Sequence, residues 1–110
     1  MAGLDHNRAA YYPTASTLNM PYGLAVQDHR LVVADTANSR LVGFDKDSLA
    51  IGGAAARLAG QRDFTEKGDN RWGPPARDSL CWPYGVAACE DTLIVADSGN
   101  NRVLVWEAAP

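Results

Sequence analysis

The sequence predicts an all-β fold in which one antiparallel unit of three to four strands occurs twice. Three observations predict it: an internal repeat, short β-like runs separated by turn residues within each copy, and the absence of any competing helical periodicity. The repeat is the strongest. Residues 18–45 read LNMPYGLAVQDHRLVVADTANSRLVGFD, and residues 80–107 read LCWPYGVAACEDTLIVADSGNNRVLVWE. The two align without a gap at an offset of 62 residues. Pro21/Pro83, Tyr22/Tyr84, Gly23/Gly85, Asp35/Asp97, Asn38/Asn100 and Arg40/Arg102 are among the identical pairs, and Val32/Ile94 and Phe44/Trp106 are conservative.

In the first copy the β-like runs fall near 23–27, 31–35 and 40–45, and in the second near 85–89, 93–97 and 102–107. Asp28-His29 and Glu90-Asp91 fill the first turns. Thr36-Ala37-Asn38-Ser39 and Ser98-Gly99-Asn100-Asn101 fill the second. Asn and Gly tolerate positive φ, and short Asp or Ser side chains bond the nearby backbone, so these segments suit tight reversals. A fourth run, 56–60, is expected as the outer strand of the first unit. Short antiparallel strands repeated at a fixed period are the signature of propeller blades. The chain therefore divides into a lead-in from a preceding repeat at 1–17, a first blade at 18–60, a linker at 61–79, and a second blade at 80–110 that lacks its outer strand. Ala2-Gly3-Leu4-Asp5 resembles Ala59-Gly60-Gln61-Arg62 and reads as the end of an outer strand.

The pattern Pro-Tyr-Gly-Val-Ala, then Leu-x-Val-Ala-Asp-[Ser/Thr]-x-Asn-x-Arg-[Leu/Val], then an aromatic and an acid, resembles the NHL repeat. The signature tripeptide position holds Ser39-Arg40-Leu41 and Asn101-Arg102-Val103, with Arg in place of the family's His. Leu58 to Phe64 is similar to a subtype with long inter-repeat segments. The resemblance implies a β-propeller, usually closed by six blades of four strands. Two blades cannot close a ring, so a partial or oligomeric propeller is expected, and three copies would supply six blades.

Bulk properties narrow the function. Net charge is −3, from 13 acidic and 10 basic residues, and eight of the basic residues are Arg. Nucleic-acid binding calls for a clustered basic face, which this balance does not supply. Arg favours fixed bidentate pairing, so structural ion pairs are expected. No stretch approaches the ~20 apolar residues of a membrane span, and the N-terminus lacks the apolar core of a signal peptide. Cys81 and Cys89 flank an extended segment. Eight residues at about 3.3 Å each hold the thiols roughly 25 Å apart, beyond the ~7 Å Cα separation of a disulfide. Two free thiols are expected, which favours a reducing, cytoplasmic setting.

Asp35 and Asp97 end the middle strands, and Arg40 and Arg102 begin the third strands, five residues on. Across a tight hairpin these side chains face each other. Because both copies carry the pair, a structural turn role is favoured over catalysis. Tyr22 and Tyr84 open the innermost strands and are candidates for a channel mouth. Packing between blades is their alternative role. His6 and His29 are the only histidines; no zinc-ligand spacing occurs, and Asp45, Asp47 and Ser48 lack the calcium-loop pattern. Neither a nucleophile with an oriented base nor a phosphate loop is recognisable, Ile51-Gly52-Gly53-Ala54 lacking the required spacing. The most individual stretch is the linker, with Phe64, Arg71 and Trp72. Long loops are often functional, and Trp and Arg dominate interface hot spots. Its alternative role is to drape over the blade with Trp72 filling a groove.

The expectation is a non-enzymatic protein-interaction or assembly scaffold, without cofactor or metal, with a protein partner and a possible homo-oligomer. A propeller enzyme of lyase or hydrolase type with a site in the central channel is the alternative. RNA binding stands third.

Overall fold

A computed structural model describes residues 13–45 and 53–107 of the chain. Seven strands form two antiparallel sheets. The first sheet runs β1 (Pro21–Gln27), β2 (Arg30–Asp35), β3 (Arg40–Asp45) and β4 (Arg57–Ala59), paired in that order. The second runs β5 (Gly85–Cys89), β6 (Thr92–Asp97) and β7 (Arg102–Glu107). The fold class is the one expected: all-β, with two blades of four and three strands. No helix among the described residues is long and apolar enough to cross a membrane.

The strands follow the repeat closely and extend it slightly. β1 begins at Pro21 rather than at 23, because Pro21 pairs with Asp35 across a bulge at Tyr22. β2 and β6 each gain the residue after the two-residue turn, Arg30 opposite Gln27 and Thr92 opposite Cys89. β4 is the anticipated outer strand, shortened to three residues. The second turns are single 3-10 turns, Thr36–Asn38 and Ser98–Asn100, each ended by a left-handed residue, Ser39 or Asn101. Residues 1–12, the middle of the 45–48 acidic stretch and the chain end lie outside the described residues, as do the expectations placed on them.

Alternation along the strands gives each sheet two faces. Val32, Ala34 and Leu41 lie on one face of the first sheet and form a core with Leu80 and Val95 of the second. Val86, Leu93, Leu104 and Trp106 close that core. Val95, Leu104 and Trp106 are the counterparts, at 62 residues' offset, of Val33, Val42 and Phe44, which occupy the opposite face of the first sheet. The front of one repeat thus packs on the back of the next, so the sheets stack in the same sense. A second core gathers Val33, Val42, Phe44 and Ala55 with Leu18, Leu58 and Phe64. Burying each such large side chain is worth about 1.5–3 kcal/mol.

The inner strands β1 and β5 make the closest approach between the sheets. A Cβ on Gly23 would stand 2.7 Å from the Tyr84 carbonyl oxygen and 3.1 Å from Gly85 Cα. Polar bonds fix the same seam. The Gln27 amide donates to the Glu90 carbonyl (2.8 Å), and the Thr36 hydroxyl to the Pro83 carbonyl (2.6 Å). A Gly23→Ala substitution should therefore push the sheets apart and cost about 1–3 kcal/mol, as overpacking does. Chemical denaturation monitored by circular dichroism will read the loss, and an unchanged midpoint will contradict this packing.

Candidate functional site

The hairpin between β2 and β3 reverses within four residues, and Asp35 lies opposite Arg40 in the ladder. Arg40 Nε donates to Asp35 Oδ2 at 2.7 Å, with both side chains fully buried. The Asn38 side-chain amide donates to the same oxygen (2.8 Å), and the Asn19 backbone N–H to Asp35 Oδ1 (2.6 Å). The rest of the guanidinium spreads outward: Nη2 donates to the Thr14 and Thr17 carbonyls and Nη1 to that of Phe64, all at 2.9 Å. The second blade repeats the arrangement. Arg102 Nε donates to Asp97 Oδ2 (2.9 Å), joined by Asn100 (2.7 Å), while the Cys81 N–H donates to Oδ1 (2.8 Å). Arg102 Nη2 donates to the Ala76 and Ser79 carbonyls. Residue by residue the two clamps match at the same offset, so the structural repeat begins four residues before the aligned segments. Arg102 differs in being about a quarter exposed. Buried in this way and saturated with bonds, Asp35 and Arg40 have no free edge to offer a substrate.

Tyr22 and Tyr84 stand side by side at the heads of the inner strands, ring centroids 4.7 Å apart and tilted by 49°. The bulge at Tyr22 turns its ring to the surface, and both rings remain exposed. They meet each other across the seam.

The linker is neither loose nor collapsed onto the blade. Gly60 pairs with Ser79 in an isolated parallel bridge. The buried Gln61 amide donates to the Ser39 and Gly68 carbonyls, Ser39 Oγ lies 2.7 Å from Asp69 Oδ1, and Asn70 and Asn100 exchange amide bonds. Trp106 Nε1 donates to the Arg77 carbonyl (2.8 Å). Within this frame Asn70, Arg71 and Trp72 adopt three successive left-handed conformations, φ 51°, 53° and 61°. For non-glycine residues that conformation costs roughly 1–2 kcal/mol each. The other positive-φ residues, Met20/Trp82, Asp28/Glu90 and Ser39/Asn101, come in repeat-related pairs, so the linker run is peculiar to this segment. The run lays the Trp72 indole over Gly68, in the space a Cβ there would take, and leaves the side chain 84% exposed. Trp72 fills no groove in the blade. It walls a shallow surface depression of about 320 Å³ with Pro13, Arg62, Thr65, Lys67 and Arg71.

Of the three linker residues singled out in the sequence, Arg71 and Trp72 share this surface. Arg71 is held by Asp78 at 2.7 Å. Phe64 does not join them; it is half-buried against the second core and presents its carbonyl to Arg40. Thr17, Ser79 and the backbone acceptors of the clamps went unnoticed in the sequence. The recurrence of a hydroxyl residue before Leu18 and Leu80 is the one signal that marks them.

Among the described residues no cluster of three or more His, Cys, Asp and Glu side chains is placed to hold a metal ion. Cys81 and Cys89 are free thiols. Burial pushes the Cys81 thiol above its ordinary value, helped by the negative charges of Asp69 and Asp97. In Asp63, bonds from the Thr65 hydroxyl and N–H hold the carboxyl below its usual range.

Two blades stacked in the same sense, each closed by its own Asp–Arg clamp, define a repeat-built β protein of the propeller class. The NHL repeat model matches residues 18–44 and 80–106, and the chain belongs to the NHL-repeat family. No curated protein matches it significantly.

Two outcomes follow from the clamps and thiols. Arg40→Ala strands a buried carboxylate and should cost about 3–5 kcal/mol, whereas Arg102→Ala, at a part-exposed site, should cost about 1–3 kcal/mol; equal losses in denaturant titrations will argue against the difference in burial. Iodoacetamide at mildly alkaline pH should modify exposed Cys89 well before Cys81, as peptide mass mapping over time will show.

Proposed function

We propose that the chain is a non-catalytic scaffold that binds a protein partner through the linker surface around Trp72. The observation that carries this reading is the exposed indole on a strained, hydrogen-bonded linker. A large apolar ring held in water by a costly backbone conformation is already ordered for contact, so binding loses little further entropy there. Trp and Arg supply the largest single-residue contributions at protein interfaces. Arg62 and Lys67 beside the ring favour a partner segment that brings an apolar side chain together with carboxylates. The clamps and cores supply the rigid base on which such a loop surface works.

Peptides selected by panning a random display library on the immobilised wild-type chain provide the test. Their affinity for Trp72→Ala should fall by about 30-fold or more, the consequence of losing a hot spot of about 2 kcal/mol. Arg71→Ala should weaken binding less. If every selected peptide binds the Trp72→Ala chain undiminished, the linker is not the partner surface.

A further inference from the structure

The seam between the two sheets is a template for a contact that the second sheet offers again on its far side. In the first sheet, Val32 and Leu41 are 4% and 2% exposed because the second sheet covers them. Their counterparts on the second sheet, Ile94 and Val103, are 39% and 65% exposed, and Val105 beside them is 66% exposed. At the other end of the stack, Leu24 and Val26 of β1 are 68% and 73% exposed. Leu24 is the counterpart of Val86, which packs into the seam. Exposed aliphatic side chains thus gather on the two outer faces of the stack, and these are the two kinds of face that meet inside it.

Two further residues match the template. Gly23 is required by its neighbour, since a Cβ there collides with the backbone of β5. Its counterpart Gly85 has no such reason within its own chain: a Cβ would meet only Ala96 Cβ at an ordinary 3.4 Å. Likewise Thr36 donates across the seam to the Pro83 carbonyl, and Ser98, at the equivalent position, keeps an exposed hydroxyl. A second blade head arriving on β5 would use both.

We propose that the second sheet's free face docks the first sheet of a second copy of this chain, head to tail, reproducing the internal seam. Ile94, Val103 and Val105 take the apolar contact, Gly85 admits the incoming β1 backbone, and Ser98 donates to the incoming Pro21 carbonyl. Leu24 and Val26 of the second copy supply the opposing face. The interface is heterologous, so it propagates until it closes on itself. This deepens the scaffold reading by naming a partner, a copy of the chain itself, and uses a surface separate from Trp72.

Size-exclusion chromatography with light scattering over a wide concentration range tests it. Wild type should show a multiple of 11.8 kDa; a constant 11.8 kDa with intact strand circular dichroism overturns the proposal. Gly85→Ala, which the chain's own packing tolerates, should keep the monomer's fold and weaken assembly about tenfold or more. Val103→Asp/Val105→Asp and Leu24→Asp/Val26→Asp should each be monomeric. Mixed one to one, they should form a single heterodimer, because each retains the face the other has lost. That rescue also proves both variants folded. Assembly that survives Leu24→Asp/Val26→Asp but not Val103→Asp/Val105→Asp would mean like faces meet, against the head-to-tail arrangement. A Trp72→Ala chain that loses peptide binding at unchanged mass leaves this interface standing, and the reverse pattern leaves the linker reading standing.

Discussion

The buried Asp35–Arg40 pair is the constraint on which the rest of the first blade depends. A guanidinium in a dry interior is tolerable only when its donors are satisfied, and here they reach one carboxylate and three backbone carbonyls. Those acceptors belong to different parts of the chain: the hairpin turn, the segment before β1, and the linker after β4. One side chain therefore closes the turn, fixes how the chain enters the sheet and decides where it leaves. Asp97 and Arg102 do the same work in the second blade with one fewer carbonyl and more solvent.

The fold was legible in the sequence because its determinants are local. Strand alternation, turn composition and the five-residue spacing from Asp35 to Arg40 all act within one hairpin, and the repeat at residue 62 confirms each of them once more. What stayed hidden depends on the backbone or on the third dimension. Thr14, Thr17, Ala76 and Ser79 serve through their carbonyls, which carry no side-chain signature. That Phe64 turns inward and Trp72 outward follows from the left-handed run at 70–72, and neither Asn, Arg nor Trp announces it as glycine would. Nor does alternation say which face of one sheet meets which face of the next; Val33 and Val95 are the same repeat position and face different surroundings.

The two surfaces singled out in this chain differ in kind. Around Trp72 the linker is unique to its position, polar at its rim and held by bonds to Ser39, Gln61 and Asn100. The stack's outer faces are generic, apolar and duplicated from the seam. A loop of the first kind discriminates among partners, whereas faces of the second kind recognise whatever shares their own repeat. One small stack can hold both because the clamps keep loop and sheet in fixed relation.

The equivalence of the two clamps has a consequence for how such a chain can lengthen or shorten. Each increment of 62 residues brings its own Arg, its own Asp, the carbonyls they need and both mating faces. Splicing a whole increment in or out leaves every clamp complete and every seam of the same type. A cut at any other length separates an Arg from its acceptors and strands a charge in the interior. The natural quantum of variation in this architecture is thus the full period, and stability should accrue in steps of one period rather than strand by strand.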